Sequence, residues 1–335
     1  MSGRGGARLG LAMAVALLGC KPEVGGELPI CAAEVAGGQA AEVEHQQLPA
    51  ELWYAILLDG FDRERMFAGD DPRDCTGTPS AIPTPLPAPP NEAGVGAGVG
   101  ADVEACPPVV TEEPLPSRPL TDDDLVVAPG PDGTTLVWVH ASHYADGEAS
   151  GPVAIVEWTR AGVAVRALGS LRAPTRAADL RVELAGGQRF VVVGGEVCPP
   201  LEPEADDRAR VCVRVVRLLP IVAGRIATVG VRASADADAP CLGPAAFVLG
   251  EAHTAELGSG RVREFEIVRS VRFDRDGIRI AEQVAIADRD PNEPEAPPQP
   301  FRAAARERAL VFDGRWFATE PSLWAAMLAS YGAVD

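Results

Sequence analysis

Strand-length apolar or alternating pieces, each closed by a two-residue turn signal, recur along most of this chain. The turns fall at Asp132-Gly133, Gly186-Gly187 and Asp313-Gly314, between pieces such as Asp179 to Leu184 and Arg189 to Val193. Aspartate and glycine accept the positive φ that a tight hairpin needs, and a period of two sets one side of each piece against a core. A second kind of hairpin spans Pro152 to Ser170, Arg210 to Val231 and Val262 to Val284, the last turning at Asp274 to Gly277. A weaker copy, interrupted by Gly243-Pro244, runs from Cys241 to His253, and an early one is expected over Leu52 to Gly69 with its turn near Asp59-Gly60. The fold class is therefore all-β.

Equivalent hairpins repeat every roughly 50 to 65 residues, the length of a four-stranded unit. The odd hairpins at the two ends could pair and close a ring, so the arrangement resembles a small β-propeller. A β-sandwich is the alternative, because it would use the same strands. One short helix is expected at the C-terminus, where Pro321 suits a first turn and Leu323, Trp324, Met327, Leu328 and Tyr331 form one stripe. Such a stripe reads as core packing before it reads as a docking surface.

The N-terminus is a different material. Arg4 and Arg8 precede an apolar run from Leu9 to Leu18, followed by Gly19 and Cys20. That is the order of an export signal over residues 1–19, and it is too short to cross a bilayer. Leu17-Leu18-Gly19-Cys20 resembles the lipobox of bacterial lipoproteins. The resemblance implies cleavage before Cys20, lipidation of its thiol with an acyl (palmitate-type) anchor, and, since Lys21 rather than an aspartate follows, an outer-membrane destination. Residues 20–50 then read as a lipidated start and tether, and 51–335 as a single β-rich domain. Within that domain, 76–119 is rich in proline and glycine and reads as an extended or disordered insertion.

Loss of Arg4 and Arg8 would take the formal charge from −18 to −20, which argues against nucleic acid as a partner. Six of the seven cysteines follow Cys20, an even set that reads as disulfides in an exported chain. Cys75 with Cys106 and Cys198 with Cys212 each bracket a loop, which leaves Cys31 to Cys241. The connections between hairpins are long, and those at 141–152, 198–209, 233–240 and 287–302 are net acidic, as is the insertion. In an up-and-down meander they would share one face.

Candidate chemistry is sparse. His140 and His143 are the closest histidines, but on a strand they face opposite sides, so a shared metal needs a bend between them. Ser142 lacks the glycine-flanked elbow of a nucleophile. Asp288, Asp290, Asn292 and Glu295 offer oxygen ligands at calcium-like spacing, without the glycine of the sharp turn and with Pro291 and Pro294 stiffening the run. No organic cofactor is expected. The sequence thus reads as an extracytoplasmic lipoprotein whose role is binding or envelope structure, with a protein, a cation or a cationic ligand as partner at the acidic loop face. The alternative is a hydrolase or lyase using loop carboxylates and His143.

Overall fold

The structure, a computed structural model, describes residues 29–34, 48–81, 112–159, 162–198, 212–234, 236, 239–257, 260–293 and 295–332. The signal, Cys20, Cys106, most of the tether, most of the insertion and the acidic loop 199–211 lie outside the described residues. The chain enters with β1 (Cys31–Glu34), helix α1 (Ala50–Leu57) and the short pair β2 (Leu58–Asp59) and β3 (Arg73–Asp74). Nine strands follow: β4 (Leu125–Pro129), β5 (Thr135–Val139), β6 (Ser142–His143), β7 (Glu148–Thr159), β8 (Gly162–Pro174), β9 (Asp179–Ala185), β10 (Gln188–Val197), β11 (Val213–Val222) and β12 (Arg225–Ile226).

Most of these make one sheet in the order β4-β5-β7-β8-β12-β11-β10-β9, and β4 comes back against β9, so the sheet curls into a small barrel. Its interior is filled by Leu136, Trp138, Ile155, Leu171, Val191 and Ile226, with smaller apolar side chains between them. The outward residues of β5, β7 and β8, such as Val137, Val139, Ala154 and Val165, pack under Trp53, Tyr54, Ile56 and Leu57 of α1. Strands covered on both faces cannot alternate, which is why β5 is apolar from Leu136 to Val139 and buried throughout.

Close approach inside the barrel wall makes two glycines obligatory. A β-carbon at Gly151 would meet the Val139 carbonyl oxygen at 1.8 Å, and one at Gly169 the Ile226 carbonyl oxygen at 1.9 Å. Gly151→Ala and Gly169→Ala are each expected to lower stability by about 1–3 kcal/mol through forced backbone shifts. Urea melts check this, with Gly250→Ala as control because its added carbon meets nothing nearer than 4.0 Å. Melts in which all three variants match would show that the wall yields freely.

The second sheet holds β13 (Gly230–Arg232), β14 (Cys241–Pro244), β16 (Gly250–Glu256), β17 (Val262–Asp274), β18 (Gly277–Arg289), β19 (Gln299–Phe312) and β20 (Phe317–Thr319) in the order β14-β13-β20-β19-β18-β17-β16. Between β14 and β16, β15 (Ala246–Val248) pairs instead with β11 of the barrel. The two sheets meet through one apolar layer, where Phe190, Val192 and Leu218 of the barrel wall pack with Ile278, Ile280, Leu310 and Phe317. The C-terminal helix α2 (Leu323–Tyr331) lies on the far half of the same inner face, with Trp324 and Met327 buried against Phe265, Ile267, Val284 and Ile286. Its stripe is core packing. Ser322, one residue after Pro321, is its cap, accepting from the Trp324 N–H at 3.2 Å.

The all-β class holds, with corrections of detail. Long strands twist and hydrogen-bond edge to edge across hairpins, so the chain forms two curled sheets where radial four-stranded blades were expected. The early hairpin over Leu52 to Gly69 is replaced over its first half by α1: Trp53, Tyr54, Ile56 and Leu57 bury one helical face, and the short apolar run had fitted either period. Cys198 pairs with Cys212 as expected, at a Cα separation of 4.2 Å. Cys31 pairs with Cys75, 6.3 Å apart, which overturns the assignments of Cys75 to Cys106 and of Cys31 to Cys241. The reason is that β1 docks antiparallel on β8 and brings Cys31 up to the turn after β3. Cys241 is disulfide-bonded as well. This disulfide set places the protein in an oxidising, extracytoplasmic compartment. Among the described residues no helix is long and apolar enough to cross a membrane.

Candidate functional site

One end of the barrel gathers residues 112–124 and the connections that flank β6 and follow β8. Residues 112–121 run across it as an extended strap, held by Leu115 N–H to the His143 carbonyl at 2.7 Å and Leu120 N–H to the Met66 carbonyl at 2.7 Å. The strap ends in Thr121-Asp122-Asp123-Asp124, a capping box in which the Thr121 N–H donates to the Asp124 carboxylate at 2.7 Å. Asp124 is buried and takes a two-pronged bond from Arg118, at 2.6 and 2.9 Å, with His143 Nε2 3.0 Å away. Burial alone would raise this carboxyl, but the bonds from His143, Arg118 and Thr121 outweigh it and hold the group far below the usual carboxylate range. Tyr54 of α1 closes the back, its hydroxyl donating to the Thr121 carbonyl at 2.6 Å.

His140 sits one layer deeper. Its ring stands edge-on to Trp138 at 4.1 Å, and burial pushes the imidazole down to about 4 in spite of the nearby Asp124. Its ring lies 6.3 Å from that of His143, whose Nε2 faces the Asp124 carboxylate at 3.0 Å with the Arg118 guanidinium 2.9 Å away. The two histidines are therefore near each other without sharing a ligand position. Ser142 and His143 are successive residues of β6, and no hydrogen bond joins their side chains among the described residues. The cavity between strap and β6 is about 10 Å³, room for one water at most and not for a substrate. Chemically this cluster is a clamp that fixes the strap to the barrel.

The acidic residues of this end are mostly spoken for. Arg172 of β8 bonds Glu112, Asp146 and Glu148 at 2.5 to 2.7 Å while its guanidinium lies 3.7 Å above the Tyr144 ring. Burial works against this cation, yet Glu112, Glu148 and Asp146 raise its pKa above the ordinary arginine value. Glu148 also binds Arg217, and Asp179 binds Arg181 and Arg214. So the connections at 141–152 and 172–178 and the flank of 198–209 converge, while the meander expectation of one face for all of them holds only in part. Most described carboxylates here, Glu112, Asp124, Asp146, Glu148, Asp179 and Glu196, carry their own arginines. The connections 254–261 and 287–302 belong to the second sheet, where Arg261 meets Gln299 at 2.9 Å.

The calcium-spaced residues are not brought together. Asp288 is bound by Arg263 at 2.7 and 3.0 Å, which holds its carboxyl below the ordinary value. Asp290 turns back on Asn292, and Glu295 is exposed. Among the described residues no three His, Cys, Asp or Glu side chains are grouped to hold a metal ion.

A second polar knot escaped the sequence reading. Glu282, fully buried on the inner face of β18, accepts from Arg269 Nε at 3.1 Å, Arg308 Nη2 at 3.2 Å, the Ser322 hydroxyl at 2.7 Å and the Leu323 N–H at 2.8 Å. Burial would raise its pKa, and those four donors together bring it below the usual value. The signal was there: Glu282 is the one acid in the inward row Ile278, Ile280, Glu282, Val284, Ile286. For Asp124 the signal was the Thr-x-x-Asp box.

Comparison with family models, with curated proteins and with solved structures finds no match for this chain.

Proposed function

We propose that the protein is a lipid-anchored component of the bacterial cell envelope, held through Cys20, outer-membrane in destination, and working by binding or scaffolding rather than by catalysis. The cysteine balance carries this reading. Of seven cysteines, Cys31 pairs with Cys75 and Cys198 with Cys212, Cys241 is disulfide-bonded too, and the odd total leaves at least one thiol outside any bridge within the chain. Assigning Cys106 to Cys241 leaves a single surplus thiol, at the place where the lipobox resemblance puts the acyl chains. Two or three such chains anchor stably where one does not. The binding face of this proposal is the strapped, long-loop end of the barrel, a rigid and charge-compensated surface fit for another protein more than for a free cation. His143, the residue a hydrolase or lyase would have used, is committed to Asp124 and Arg118.

Non-reducing peptide mapping and palmitate labelling test the anchor together. The expected result is a Cys241–Cys106 peptide, with label entering the wild-type chain and not Cys20→Ala. A Cys241–Cys20 peptide, or label that survives the substitution, would overturn the assignment.

A further inference from the structure

Two covers share the inner face of the second sheet and leave a gap between them. The inward row of β18 shows where it falls: Ile278 and Ile280 pack with the barrel, Val284 and Ile286 with α2, and Glu282 stands between. Over that point lies a cleft of about 360 Å³. Its lip is formed by Leu242, Pro244, Pro321 and Ala325, all exposed, and the buried Phe247 of β15 makes one wall. Deeper in the lining stand Arg269 and Arg308, their side chains 9% and 6% exposed.

Positive charge at this depth is only partly matched. Both guanidiniums share the one buried carboxylate of Glu282, which also accepts from the Ser322 hydroxyl and the Leu323 N–H. Glu251, 3.5 Å from Arg269 Nη1, is 44% exposed, so solvent screens its pull. Burial works against the Arg308 cation, and Glu282 only partly offsets it, so its pKa lies below the ordinary arginine value. The Arg308 Nε–H has no acceptor among the described residues. A buried cation left short of acceptors is stabilised by an anion, and a guanidinium fork fits a carboxylate best.

We infer that the cleft binds a small organic carboxylate with an apolar tail. The carboxylate lies at the guanidiniums of Arg269 and Arg308, and the tail runs past Phe247 to the apolar lip. An inorganic anion would leave the apolar walls wet, and a neutral hydrocarbon would leave the cations as they are. The lining thus favours a ligand with both parts, the usual make-up of a small-molecule site. At roughly 30 Å³ for each water-sized volume, the cleft has room for about twelve non-hydrogen atoms, which suits a carboxylate of about eight carbons.

Calorimetric titration of the full-length chain with octanoate, and thermal melts with octanoate, octan-1-ol or octylammonium at fixed ionic strength, test this. Octanoate is expected to bind once per chain and to raise the melting temperature, since it is held by the native state alone. The alcohol and the amine should bind about tenfold or more weakly, for want of a carboxylate. Ala325→Trp, which fills the lip, and Leu242→Asp, which sets an anion there, should each weaken octanoate by about tenfold or more. Both positions are exposed, so the ligand-free melts should stay unchanged. Replacing Glu282 by leucine and both Arg269 and Arg308 by methionine should abolish the preference for octanoate over octan-1-ol. A melt indifferent to octanoate overturns the inference, as do octan-1-ol binding equally well, lip variants that bind like wild type, or a preference that survives the triple replacement.

Discussion

Glu282→Ala is expected to destabilise the protein by about 3–5 kcal/mol, a fall in melting temperature on the order of 10 °C. The substitution strips the shared partner from Arg269 and Arg308, whose side chains are 9% and 6% exposed. It also frees the Leu323 N–H and the Ser322 hydroxyl at the start of α2. The loss measures two buried guanidiniums short of their shared carboxylate and a helix start with one N–H left unsatisfied, not the worth of the cluster itself. Replacing Glu282, Arg269 and Arg308 together by leucine and methionines should therefore recover most of it, since buried ion clusters are often matched by apolar packing of like volume. Thermal and urea melts of the single and triple variants decide the matter. A single variant within 1 kcal/mol of wild type would mean that water reaches the arginines after all.

The second large effect is a pH dependence with its source in His140. Burial holds this imidazole neutral, with a folded value of about 4 against 6.5 in the unfolded chain. Between those values the unfolded chain binds a proton that the fold refuses. The stabilisation is complete above pH 6.5 and is lost as pH falls, reaching a deficit of about 3 kcal/mol near pH 4. Asp124 has the opposite starting point but the same sign: its carboxyl is held low, so it adds a further loss only below its ordinary 3.8. His140→Leu should flatten the profile between pH 6.5 and 4 and leave the steeper acid limb in place. Urea melts of both proteins at pH 7, 5.5 and 4 give the comparison, and parallel profiles would assign the dependence to other groups.

What could be read in advance follows from how local each determinant is. Tight turns are written in two residues, so the hairpins of β9 with β10, β17 with β18 and β19 with β20 were legible from Gly186-Gly187, Asp274 to Gly277 and Asp313-Gly314. The closure of β4 onto β9 is not written locally, because it depends on how much twist accumulates over strands as long as β7 and β8. The same holds for β1, whose four residues gain their meaning only on β8. Cys198 and Cys212 are 14 residues apart across one loop and could be matched. Cys31 and Cys75, 44 apart, are brought together by a strand docking and a helix that no spacing reveals. At the candidate sites, residue types were legible but partners were not. His143 and Asp288 were picked out as ligands, and each turned out to be bonded to an arginine. No periodicity predicts which arginine reaches which carboxylate.

The bond from Cys31 to Cys75 has a mechanical meaning. Tension that arrives from the N-terminal side of the chain meets Cys31 first, and the covalent bridge hands it directly to the backbone after β3. Helix α1 sits inside the bridged stretch and is left out of the load path. The element that lids the outer wall of the barrel, through Trp53, Tyr54 and Leu57, is thereby spared the pull, even if the four paired residues of β1 were drawn off β8.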